Sequence, residues 1–205
     1  MKRQLTLAEY RSLDLTLFAV ILAVCEYVIT LAAIRWFPGQ LYTVSLSAAL
    51  CAIVLMRWGP WAGLHALLGG TAFWLASGGT PRQLAVYALG NLFCLLVLPL
   101  LRGNGKEKIR TDKLFTILFA LAVVLSMQLG RAAVALALGT SIETCVGFFT
   151  TDSLSDVFTM VVVSLARRLD GIFEDQKRYL RRYRSSRRRK REDFDESKGW
   201  GLPRL

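Results

Sequence analysis

The stretch LTLFAVILAVCEYVITLAAI, residues 15–34, sets the first constraint: twenty residues of apolar chain carry a single carboxylate, Glu26. At about 1.5 Å per residue a helix of this length covers about 30 Å, the thickness of a bilayer's hydrocarbon core. A secretory signal has a shorter apolar region closed by small residues, whereas here RWFPGQ and more apolar sequence follow, so the segment reads as a retained span. Hydrophobic residues make up 54% of the 205 and mean hydropathy is +0.41, more apolar side chain than a water-soluble core of this size hides.

Further apolar runs cover 41–56, 60–77, 84–101 and 114–138, and a last one, 153–166, has only fourteen residues. Gly59-Pro60, SGGTPRQ and RGNGKEKIRTDK separate the runs with turn residues or charge clusters that stop helices. The last run is too short to span, so its helix starts near Cys145, continues past Arg167, or has an end sheltered by protein. The expected fold is an all-α membrane protein, a compact bundle of six transmembrane helices. Lys2, Arg3, Arg11, Arg57, five basic residues between Arg102 and Lys113 and the basic tail mark one side, which predicts that both termini are cytoplasmic. The expected division is a cytoplasmic segment 1–13, a membrane domain 14–168, an amphipathic basic helix 169–185 and a disordered charged tail 186–205.

Of the net charge of +11, residues 167–205 supply +7, from 14 basic and 7 acidic side chains. In RRLDGIFEDQKRYLRRYRSS, Leu169, Ile172, Phe173, Leu180 and Tyr183 recur at helical spacing among basic residues, a pattern suited to membrane lipid or a partner protein and equally to a simple polybasic retention patch. No folded nucleic-acid reader surrounds the arginines, so nucleic acid is not an expected partner. Cys25, Cys51, Cys94 and Cys145 are isolated, and the single histidine, His65, has no HExxH companion, so no metal or other cofactor is expected. GNGKEK lacks the spacing of a phosphate loop, and no catalytic motif marks the chain as an enzyme.

The informative residues are polar groups at membrane depth. Glu26 lies in the first span, Asn91 in the fourth, Gln128 and Arg131 one turn apart in the fifth, and Asp152 and Asp156 one turn apart in the sixth. An ionisable group in hydrocarbon costs at least about 2.5 kcal/mol, so such groups face a bundle interior, pair, or line a wet cavity. Three carboxylates against one arginine leave acid in surplus, pointing to an outward-facing cavity for a cationic or hydroxyl-rich solute. Two structural roles compete with this: Asp152 and Asp156 suit the start of a helix, and Arg131 suits their counter-ion. Trp74 and Tyr87, with Tyr27 and Tyr42, either wall the cavity or anchor the interface.

Six short helices, the size of the chain, the missing ATPase motif and AVILA, residues 19–23, together resemble the substrate-binding subunit, or S component, of energy-coupling factor transporters. The stretch RRLDGIFEDQKRYL, 167–180, is similar to the end of S components of unassigned solute, and the likeness spans about residues 10–185. It implies vitamin or micronutrient uptake across a bacterial cell membrane. Ala19 and Ala23 would then form the AxxxA contact with a coupling membrane subunit, and two cytoplasmic ATPases would drive turnover. The long basic tail departs from the family pattern. A self-sufficient secondary transporter and a non-transporting scaffold remain as alternatives.

Overall fold

The computed structural model describes residues 6–39, 44–169, 171–176, 179–180 and 185–186. The described residues contain helices and no strand: α1 (Leu7–Trp36), α2 (Ser47–Trp58), α3 (Ala62–Ser77), α4 (Pro81–Asn91), α5 (Gly105–Thr111), α6 (Lys113–Ala137), α7 (Ile142–Thr151) and α8 (Ser153–Arg168). Four helical stretches, Leu7–Trp36, Ser47–Ser77, Pro81–Leu101 and Lys113–Ala137, are long and apolar enough to cross a membrane, and the bent pair α7 and α8 makes a fifth. The chain is a multi-pass membrane protein by that measure.

Local chemistry sets the helix ends. Thr6 and Glu9 form a reciprocal capping box at α1, as Thr80 and Gln83 do at α4 with Pro81 in the first turn, and Asp112 Oδ1 accepts from Leu114 N at 2.8 Å to start α6. The stretch Ser47–Ser77 is folded rather than straight. Gly59 takes φ +63° and, with Pro60 and Trp61, forms a short 3-10 turn that reverses the chain. Cys51 Sγ then lies 3.9 Å from Ala62 O, and Ser47 faces Gly69, whose missing side chain leaves room for the Ser47 Cβ.

α2 is therefore about 18 Å long, shorter than the hydrocarbon core. Every one of its residues is buried, between α1, α3, α6, α8 and the chain after α4, so protein rather than lipid surrounds the short helix. α3 sits between α1 and α4, and α6 between α4 and α8. After Asn91 the chain continues as a 3-10 run, Leu92–Leu101, whose rise of about 2 Å per residue lets the Pro81–Leu101 segment reach about 36 Å. The short last run of the sequence is completed by α7, which starts at Ile142, with a bend of 40° at Asp152.

The helix expected across 169–185 does not cover 171–175, which form turns. Phe173 is buried against Phe119, with ring centroids 6.2 Å apart, and Gln176 is fully buried beside Tyr10. Arg57 fastens this turn. Its Nε and Nη2 donate to Asp14 at 2.8 and 2.6 Å, and its Nη1 donates to the carbonyls of Gly171 and Ile172 at 2.6 and 2.8 Å. Lys106 pairs with Asp175 at 2.6 Å and Arg110 pairs with Glu174, so the acids of this turn neutralise cations of the α5 region. The expected disordered tail from 187 onward, and Tyr42 and Tyr183, lie outside the described residues.

Candidate functional site

One small cavity gathers polar groups from five helices and a connection. Glu26 enters from α1, Ser47 from α2, Tyr87 and Asn91 from α4, Arg131 from α6, and Asp156 from α8, with Asp152 at the α7–α8 bend and Ser45 from the connection before α2. Gly69, Gly70 and Phe73 of α3 complete one wall. Six of the eight residues singled out as solute contacts thus line it, and a seventh, Gln128, stands behind Asp156 and donates to it through Nε2 at 2.8 Å.

The close approach that builds the cavity comes from glycine. A Cβ on Gly70 would stand 2.6 Å from the backbone carbon of Tyr87, and one on Gly90 would stand 2.6 Å from Arg131 Cα. The α3–α4 and α4–α6 contacts therefore run backbone to backbone, as small residues permit in membrane bundles. Asn91, next in sequence to Gly90, and Arg131, the residue that Gly90 meets, are brought to the same depth.

Arg131 Nη1 binds Asp152 Oδ2 at 2.6 Å, with side chains 13% and 8% exposed, and its guanidinium carbon lies 5.8 Å from the Tyr87 ring centre. The pairing of Arg131 with the acid at the helix junction agrees with the counter-ion role, and the cavity position of both agrees with a ligand role. Asp156 and Glu26 are then the acids without a cationic partner among the described residues. Glu26 is fully buried; its Oε2 accepts from Leu46 N at 2.8 Å, while Ser45 N donates to Ser155 Oγ at 3.0 Å. These two bonds hold the 44–46 backbone against α1 and α8. Asn91 Oδ1, Gln128 Oε1 and Arg131 Nε are buried and have no hydrogen-bond partner among the described residues, and the Ser45 and Ser47 hydroxyls face the Glu26 carboxylate. Two of these are amide oxygens that accept and the third is a guanidinium N–H that donates, so the site can meet a ligand carrying both donors and acceptors.

The free space is about 30 Å³, enough for one or two water molecules. Anything larger requires the walls to part. Among the described residues no group of three or more His, Cys, Asp or Glu is gathered as for a metal ion.

Trp74 is the expected contact that the fold uses elsewhere. Its Nε1 donates to Gly79 O at 2.8 Å and Thr80 O at 2.9 Å, which fastens the turn between α3 and α4. Tyr27 is 42% exposed on the outward face of α1. Ala19 and Ala23 are half-buried on the flank of the inward face defined by Leu22, Glu26 and Thr30, while Leu17, Val20, Val24 and Val28 face outward. Glu26 therefore belongs to the cavity. His65 is buried, with Nε2 3.1 Å from Leu15 O, a packing role.

Sequence reasoning missed Ser45, Ser47, Ser155 and the Gly69-Gly70 pair. The pair was a usable signal: glycine in a helix interior costs about 1 kcal/mol relative to alanine, so two together mark a place where a backbone comes close. Comparison of the chain with protein-family models, with curated proteins and with solved structures finds no match.

Proposed function

We propose that the chain captures a small polar solute, cationic or hydroxyl-bearing, as the substrate-binding subunit of an uptake transporter of the energy-coupling factor type. The observation that carries this reading is the set of buried polar groups without partners among the described residues, on Asn91 and Arg131 in one cavity deep in apolar helices and on Gln128 behind it, beside the Glu26 and Asp156 carboxylates. A purely structural network would satisfy its own members, because an unmet buried polar group costs about 1–3 kcal/mol. Counting α2 and α3 as separate passes, and α7 with α8 as one, gives six passes with both termini on the cytoplasmic, basic side. On that orientation the cavity opens outward when the 44–46 segment releases Glu26 and Ser155. The chain carries no ATPase motif, so turnover falls to a coupling membrane subunit and two ATPases.

Native mass spectrometry of the gently purified protein is expected to show a retained solute of a few hundred daltons. Asp156→Asn should weaken its retention about tenfold, since a hydrogen bond to a charged group contributes about 1.5–3 kcal/mol. Retention unchanged in Asp156→Asn would remove Asp156 from the site. Ala23→Leu should reduce co-purification of the coupling subunit and ATPases while solute retention stays, because the larger side chain blocks close helix approach. A pull-down of the unaltered chain that brings no ATPase would overturn the transporter assignment and leave the solute site to be explained separately.

A further inference from the structure

A second cavity, of about 460 Å³, lies far from the polar one, toward the start of α6. Phe119 at its floor and Arg131 of the polar site are 12 residues apart on that helix, about 18 Å. Its wall is apolar and open: Leu100 is 55% exposed, Phe115 43% and Leu118 49%. Its rim is basic, formed by the exposed Arg102 and Lys108.

The charges around this groove are sorted. Lys106 and Arg110, neighbours of Lys108 in sequence, are paired with Asp175 and Glu174. Glu107 is engaged by Arg110 at 3.0 Å, and Asp112 caps α6. Among the described residues, Arg102 and Lys108 have no ion-pair partner and no carboxylate lines the groove. Lys108 Nζ lies 5.8 Å from the Phe115 ring centre, over the apolar wall. Two unneutralised cations thus stand at the end of two apolar segments, Leu92–Leu101 and α6, at the depth where a leaflet places its phosphates.

We infer that this groove is a binding site for an anionic glycerophospholipid, its phosphate between Arg102 and Lys108 and an acyl chain along Leu100, Phe115 and Leu118. Free phosphate would use the rim and leave the wall in contact with nothing of its own kind; a lipid uses both. The inference does not depend on the solute site or on which leaflet the groove faces, since phosphates lie in both.

The test is native mass spectrometry of the full chain in detergent, titrated with phosphatidylglycerol or with phosphatidylcholine of the same acyl chains. The unaltered protein should retain several-fold more phosphatidylglycerol. The double variant Arg102→Gln, Lys108→Gln should lose most of that several-fold preference, from the attraction each cation supplies near an anionic surface. The basic tail is present in both proteins and cancels from the comparison. Arg35→Gln, at the far end of α1, should keep the preference. Equal retention of the two lipids by the unaltered protein, or a preference undiminished by the double substitution, would overturn the site. Because both residues are exposed and unpaired, the double variant should unfold at the same temperature as the parent, which separates loss of lipid from loss of fold.

Discussion

Arg57→Ala should lower stability by about 3–5 kcal/mol, the cost of leaving a buried charge without its partner. Arg57 is 6% exposed and Asp14 10%, and the guanidinium meets the carboxylate with two parallel donors while a third reaches two carbonyls of the 171–172 turn. Removing it strands Asp14, whose other partner is Trp58 Nε1 at 2.6 Å, and frees the turn that seats Phe173. Arg57→Lys keeps the charge without the planar fork and should recover less than half of the loss. Thermal unfolding in detergent reads this. The double variant Asp14→Ala, Arg57→Ala should be more stable than the sum of the single changes predicts, because neither group is then left alone. An Arg57→Ala protein that unfolds like the parent would show that the network contributes nothing.

Gly130→Ala sets two effects of opposite sign against each other. Alanine is favoured over glycine in a helix by about 1 kcal/mol. A Cβ at this position would stand 2.6 Å from Phe93 Cβ and closer still to Gly90 O, and the carbonyl belongs to the α4 backbone, which has no rotamer to change. The clash therefore wins, α4 and α6 must separate, and the net cost is expected to reach about 3 kcal/mol. Arg131 and Asn91 flank the crossing, so solute retention should fall with stability. Gly147→Ala in α7 is the control: nothing lies within 4 Å of its added carbon, so only the helix preference acts and stability should be unchanged or slightly raised. A Gly130→Ala protein as stable as Gly147→Ala would sink the account of the crossing.

The polar site was legible because the membrane makes it so. A polar or ionisable side chain inside an apolar run has few tolerable destinations, and that alone pointed to Glu26, Asn91, Gln128, Arg131, Asp152 and Asp156 before any contact was known. Tyr87 and Trp74 carried no such penalty. Both are amphipathic and stable at an interface or a cavity wall, and the fold sent one to the cavity and the other to a turn. Phe173 was misplaced for a related reason: five apolar residues at helical spacing look alike whether the helix forms or one of them plugs a core.

By itself the sequence determined the helical, membrane-crossing character of the chain and where several helices begin or end, since apolar length, Gly59, Pro60, Thr80, Pro81 and Asp112 act on their immediate neighbours. Tertiary structure decided which way α1 turns. Glu26 and Thr30 mark one face of an otherwise apolar helix as turned toward protein, but not toward which protein, and packing against α3 and α2 puts Leu22, Glu26 and Thr30 on the bundle's own cavity side and Val20, Val24 and Val28 outside. It also decided that α2 runs as a short helix wholly clothed by protein, because burial is a property of neighbours and not of the residue buried.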